Sequence, residues 1–407
     1  MRGIIYRFGY FGLIQDTSSR NILYFLTLRY LLYHIENLYM IMKNLLPLFI
    51  LCLFSPFISL GNVCPALEKG SPDIKSMNAL TFSEEGILFI GDSKSASIFA
   101  IEINDPVQNL EVEDIEINQI DKQIASQLGT TPENIVIQDL AVNPVSKRVY
   151  LALHHASGIP VLLRLEGANF QPVNLENVSF TKASIENAIS IDAQDQRGRP
   201  LRRWSISDID YFEGSVIVSG LSNKEFSSTL SSMRFPFTQD QNQSSIEIYH
   251  AAHGQYETHA PIKTFTTTLL HDKPHIIASY TCTPLVVFPL DILKTGQHTM
   301  GRTVAELGNR NTPLDIITME KEGNSYLLMA NTSRALMKIS YEKLEAFNDS
   351  LTEPVEENSA TAGVDFIALP LVNVHQLAKL DDTHFLMIQR KNNGDLDLVS
   401  GTADRWL

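Results

Sequence analysis

The chain is poor in the residues that carry most recognisable chemistry. Three cysteines and two tryptophans occur in 407 residues. No phosphate-cradling G-x-x-x-x-G-K-[ST] loop and no G-x-G-x-x-G dinucleotide fingerprint is present. Gly220-Leu221-Ser222-Asn223 comes nearest to a G-x-S-x-G nucleophile elbow but lacks its second glycine. The absence of C-x-x-C-H excludes covalent haem attachment. Basic residues are also scarce: Lys and Arg number 32 against 46 Asp and Glu, a net charge of −14. Residues 1–61 hold five of the former and two of the latter, so the remainder is more acidic still. That disfavours nucleic acid and anionic membranes as partners and suits a protein that attracts cations.

Long apolar runs are nearly confined to the start. Asn44–Gly61 follows Lys43 and ends Ser59-Leu60-Gly61, small at both positions a signal peptidase reads. This predicts a secretory signal beginning at Met40 or Met42 and cleaved near Gly61. The protein is then secreted or periplasmic, with no stable membrane insertion. A retained anchor is the alternative, although the run is short for a span of about 20 residues and contains Pro47 and Pro56. Arg29, His34 and Glu36 interrupt the apolar stretch in residues 1–39. After cleavage Cys64 and Cys282 remain, an even count in an oxidising compartment. They form a disulfide if their Cα atoms approach within about 7 Å, and otherwise stay free.

What the chain does have is repetition. Met77–Ile103 reads as apolar strand, polar turn, second strand, turn and third strand. The pattern recurs in Ile137–Glu166, Ile206–Phe237, Ile262–Leu290, Pro313–Ser340 and Val374–Ser400. Fourth strands are expected at Glu111–Ile117, Phe170–Leu175, Ser244–Ala251, Arg302–Leu307 and Val364–Leu369. Units of this kind cannot bury both faces alone. They predict an all-β fold, a single β-propeller over residues 62–407 with four-stranded antiparallel blades, six or seven in number. The last unit lacks a fourth strand, which Asn62–Gly70 is expected to supply. Short helices are expected as insertions at Asp121–Leu128, Asn223–Ser232 and Tyr341–Phe347.

In a propeller, the residues that open the inner strands and those that end the second strands share the upper face. That places Asn78, Asp139, Asp208, Thr264, Asp315 and Gln376 in one set. Asp92, His154, His155, Asn223, Cys282, Asn331 and Arg334 fall in the other, with Trp204, Glu257, His259, Asn309, Arg310 and Asn311 on loops leading in. Asp139, Asp208, Asp315 and Asn331 offer oxygen ligands of the kind Ca²⁺ or another divalent cation takes; channel-lining polar residues are the simpler reading. His250 and His253 are expected on an outer strand or loop at the surface, and Cys282 is a candidate thiol. Arg197–Trp204 is the one basic cluster, expected to be a solvated loop paired with Asp192 and Asp195. Four Asn-x-Ser/Thr sequons begin at Asn177, Asn242, Asn331 and Asn348.

Around MNALTFSEEGILFIGDSKSASIFAIEI and QDLAVNPVSKRVYLAL the chain resembles the secreted bacterial propellers of NHL, TolB and gluconolactonase-like type. The phrases YTCTPLVVFPL, ELGNRNTPLD and LLMANTSRALMKI resemble a less studied secreted propeller family. The gluconolactonase-like resemblance implies one divalent cation at the channel top, with Asp139, Asp208, Asp315 and Asn331 in ligand positions. The glutamate such enzymes place at an early inner strand is replaced here by Asn78. Two functions follow: a propeller that binds a small molecule or protein partner at its channel, or a metal-dependent hydrolase or lactonase.

Overall fold

The computed structural model describes residues 67–105, 114–238, 240–356 and 361–407. The signal segment and Cys64 lie outside them. The described chain is an all-β six-bladed propeller of mostly four-stranded antiparallel blades with a few short helices. Among the described residues no helix is long and apolar enough to cross a membrane.

Strict alternation along the strands explains why the blades stack. In the second and third strands of blade 1, Leu88, Ile90, Phe99 and Ile101 face one neighbouring blade. Phe89, Ile98 and Ala100, the residues between, face the other. Every blade is thus a two-sided apolar wall, and burying both sides requires a closed ring.

The order of blades around that ring is not the order in sequence. Numbered along the chain, the inner strands are Ala79–Phe82, Ile135–Val142, Asp208–Phe212, Ile262–Leu270, Pro313–Lys321 and Val374–Lys379. Six apolar clusters join blade 1 to 2, 1 to 3, 3 to 4, 4 to 5, 5 to 6 and 6 to 2. Blades 1 and 2 have therefore exchanged places, and the circuit runs 2-1-3-4-5-6.

The exchange is held by two long-range strand insertions. After its third strand, Ser97–Glu102, the chain leaves blade 1. It next reappears as Glu116–Ile117, which pairs with Leu398 and Val399 as the outer strand of blade 6. Helix Ile120–Gln127 follows, then all of blade 2. Only then does Val178–Ser184 return to supply the outer strand of blade 1. Glu68–Gly70 pairs outside that strand, at the edge of blade 1.

Three expectations are corrected by this topology. The segment around Glu116–Ile117 closes the last blade, not the first. The segment ending at Gly70 belongs to blade 1, not to the closure. Asn223–Ser232 is no helix; it is a loop running into the strand Ser228–Arg234. The other two helices form at Ile120–Gln127 and Tyr341–Ala346. A short-range pattern could not reveal which blade an outer strand joins, because every outer strand looks alike.

One glycine is fixed by close approach. At Gly220, near the end of a second strand, an added Cβ would lie 2.3 Å from the Ser205 carbonyl oxygen. We expect Gly220→Ala to lower stability by about 1–3 kcal/mol through overpacking, measured by urea unfolding.

Candidate functional site

The channel wall is made by the inner strands, and its chemistry follows from the exchanged blades. At the matching register position the six strands carry, in ring order, Asp139, Ala79, Asp208, Thr264, Asp315 and Gln376. Carboxylates occupy every other strand. In chain order the same residues show no alternation. Ala79, rather than Asn78, holds the blade 1 position; Asn78 accepts a hydrogen bond from Ser93 N–H.

Each carboxylate clasps the neighbouring strand. Asp139 accepts from Leu80 N–H at 2.6 Å, Asp208 from Phe265 N–H at 2.9 Å and Asp315 from Leu377 N–H at 2.7 Å. The second oxygen of each accepts from the next residue of its own strand. These contacts join blades 2 to 1, 3 to 4 and 5 to 6, so alternate interfaces are clasped. Asp210 repeats the device one step down, accepting from the N–H and hydroxyl of Thr267.

Burial raises the pKa values of these groups. Asp139 is pushed up to about 7 by burial and by the charge of Asp208. Asp208 rises to about 6 by burial, with the Phe265 amide and Lys263 opposing. Asp315 lies well above the usual carboxylate range through burial and its two counterparts. The three line a common cavity of about 580 Å³ with Asp210, Tyr211, Thr267 and Thr318. That cavity runs toward the lower ends of the inner strands, where Lys147, Asp381 and Asp382 lie. The sequence reading placed the carboxylates at the upper face; the strands place them mid-channel, facing downward.

A second cavity, about 720 Å³, occupies the upper end. Four inner strands have a β-bulge there, at one shared position. The ladder skips Gln138, Lys263, Leu314 and His375, each one residue before the register position. A bulge leaves its extra residue unpaired and re-aims the side chain. All four skipped residues line the upper cavity, with Gln376, Arg390 and, from the insertion before blade 2, Lys122 and Glu133. Lys122 is neutralised by Asp395 at 2.8 Å. Lys263 makes no ion pair among the described residues. Burial and the charge of Arg390 keep His375 below its ordinary range, hence neutral.

The remaining sequence candidates lie elsewhere. Asp92 is buried and ties down the segment that precedes the first inner strand, accepting from Lys75 N–H at 2.7 Å and the Ser76 hydroxyl at 2.6 Å. His154 accepts from Met77 N–H at 2.9 Å, and burial holds it below the ordinary histidine range. Asn331 is buried, accepts from Asn311 and donates to the Met329 carbonyl. It is thus committed locally and lines neither cavity, away from the three carboxylates it was grouped with. Arg334 donates to the Asn309 carbonyl. Asn223, His259 and Arg310 are exposed on loops. In the basic loop, Arg199 pairs with Asp195 at 2.6 Å, and Arg202 donates to the Ile189 and Lys94 carbonyls.

Sequence reasoning missed Lys263, His375 and Arg390. The signal for the first two was present: each directly precedes the register residue. A bulge, however, cannot be read from strand alternation. The expectation for His250 is also corrected. It is 1% exposed, packed against His253 and Cys282 between blades 3 and 4.

No family model and no curated protein matches this chain. Among solved structures it is similar to the PQQ-bound aldose sugar dehydrogenase of Streptomyces coelicolor, at 11% identity and TM-score 0.32, over 82% of this chain and 96% of that one. It is similar to Drosophila Plexin A in complex with Semaphorin 1b, at 9% identity and TM-score 0.35, over 83% and 87%. The WD40 propeller domain of Doa1 follows at 8% identity and TM-score 0.30, over 84% and 98%. These likenesses carry no inference about activity.

Proposed function

We propose that the protein is an exported propeller that binds a small polar molecule bearing a carboxylate or phosphate in its upper cavity. One observation carries this reading. Four bulges at one shared position turn Gln138, Lys263, Leu314 and His375 into the same space. Sheet edges and functional sites are where such bulges concentrate. Lys263 and Arg390 supply positive charge for an oxyanion. Gln138 and Gln376 offer amides for hydroxyl groups, and Leu314 gives an apolar contact. Export rests on the apolar segment Asn44–Gly61 alone.

The hydrolase reading is weaker. The three carboxylates already accept two backbone amides each, and Asn331, expected beside them, is bonded to Asn311 and lines neither cavity. Binding without a defined reaction therefore stands first, and Ca²⁺ has no assigned place in it.

Calorimetric titration of sugar acids, amino acids and sugar phosphates tests the proposal. A binder should lose about tenfold or more in affinity with Lys263→Ala, and again with Arg390→Ala, as expected when a charge-assisted hydrogen bond is removed. A panel without any binder, or binding indifferent to both substitutions, overturns it.

A further inference from the structure

A second cluster lies outside the channel. The outer strand of blade 3, Gln241–His250, ends at a tight turn that carries His253 and leads into Gln255–Glu257. Opposite stands the turn Thr281–Thr283 of blade 4, with Cys282 at its centre. One nitrogen each from His250 and His253 and the Cys282 sulfur lie within 4.8 Å of one another. Glu257 Oε1 is 3.1 Å from His250 Nδ1 and 2.5 Å from His253 Nδ1. Glu306, fully buried, lies 3.8 Å from His250 Nε2 and is held by the Ala252 amide and the Thr283 hydroxyl.

Two features set this cluster apart from a chance grouping. His250 is almost completely buried, yet neither ring nitrogen has an aligned hydrogen-bond partner. A buried imidazole in that condition is costly unless something takes its lone pair. The two imidazole rings are also 3.8 Å apart, centre to centre, which brings their nitrogens and the Cys282 sulfur to one point between two blades.

We propose that His250, His253 and Cys282 form a binding site for a soft divalent transition metal, zinc above all, with Glu257 beside the two imidazoles. Two nitrogens and a sulfur are three donors that Zn²⁺ accepts in four-coordinate geometry with its fourth position left open. Hard cations such as Ca²⁺ would not select a thiolate. Glu306 sits behind His250 in the place of an outer partner that orients the ring. The site joins the outer part of blade 3 to a turn of blade 4, so the bound metal cross-links two blades.

The same residues, ordered Cys282–His250–Glu257, could serve instead as an activated thiol. The metal is favoured because His253 has no part in such an arrangement. Neither of the two cavities described above is lined by Cys282.

The test uses the full chain, purified under reducing conditions, stripped with chelator and titrated with Zn²⁺ and Co²⁺. About one ion should bind per chain, and Co²⁺ should give an intense near-ultraviolet sulfur-to-metal charge-transfer band. Cys282→Ser should abolish the band and weaken Zn²⁺ binding by about 100-fold, the scale expected when a ligand to such a site is lost. His253→Ala should weaken binding similarly, and His259→Ala should do nothing. Unfolding of each metal-free variant shows that it is folded. The proposal fails if binding stays well below one ion per chain, if Cys282→Ser keeps the band, or if Cys282 is found in a disulfide. It fails too if the stripped protein binds no metal but its Cys282 alkylates rapidly in a His250-dependent way, which would mark a nucleophile.

Discussion

Replacing Asp208 with alanine should destabilise the propeller by about 2–4 kcal/mol, the scale of a lost charged hydrogen bond plus an amide left without its partner. The side chain holds Phe265 N–H of blade 4 at 2.9 Å and Ile209 N–H of its own strand. Asparagine is no neutral substitute. Asp208 accepts at both oxygens, whereas an amide can accept at one and must turn a donor toward the other. Asp208→Asn should therefore still cost about 1–2 kcal/mol. Chemical unfolding of the three proteins measures both values.

The pH dependence should differ as well. Asp139 and Asp208 have folded-state pKa values of about 7 and about 6, above the unfolded value. Between about pH 4 and 7 the folded form therefore binds more protons, and stability falls as pH rises through that window. Because both carboxylates face an open cavity, the fall should be modest, about 1–2 kcal/mol. Asp208→Asn removes part of the slope. A wild-type stability that rises from pH 4 to 7 would show that the carboxylates are clasped as anions with no penalty from burial.

The second large effect concerns the strand that completes blade 6. Ile117 is nearly buried, pairs with Leu398 and packs beside Ile120 and Ile124 against blades 2 and 6. Ile117→Asp should lower stability by about 3–5 kcal/mol, the cost of an unpaired charge in an apolar cluster. Ile367 holds a similar place in the outer strand of blade 5 but is exposed. Ile367→Asp should change stability by no more than about 0.5 kcal/mol. Equal effects from the two substitutions would remove Glu116–Ile117 from the closure.

The unequal legibility of this chain has a physical origin. Short apolar runs such as ILFIGD or YLLMAN, bounded by polar turns, are a local property, and they reported the strands, their number per blade and six repeating units. The three aspartates were legible as a set because each directly precedes a large aliphatic residue at the same point of its repeating unit. Their alternation around the axis was not, since it exists only after blades 1 and 2 trade places. The partners of Glu116–Ile117 and Val178–Ser184 are far away in sequence. Nothing in those short segments distinguishes one sheet edge from another. The histidine cluster was hidden for the same reason: His250 and Cys282 meet only because blades 3 and 4 are neighbours.

The interleaved strands also bear on how the molecule is assembled as it is made. The first sheet stays unfinished until residue 184 has been synthesised, and Glu116–Ile117 must wait for residues near 398 before it has anything to pair with. Early segments thus carry unsatisfied edges through most of translation, a condition that invites aggregation and rewards a chaperone. A shortened chain would therefore not collapse into a smaller ring. Acquisition of structure should be late and all at once, gated by the final strand rather than progressing from the first residue onward.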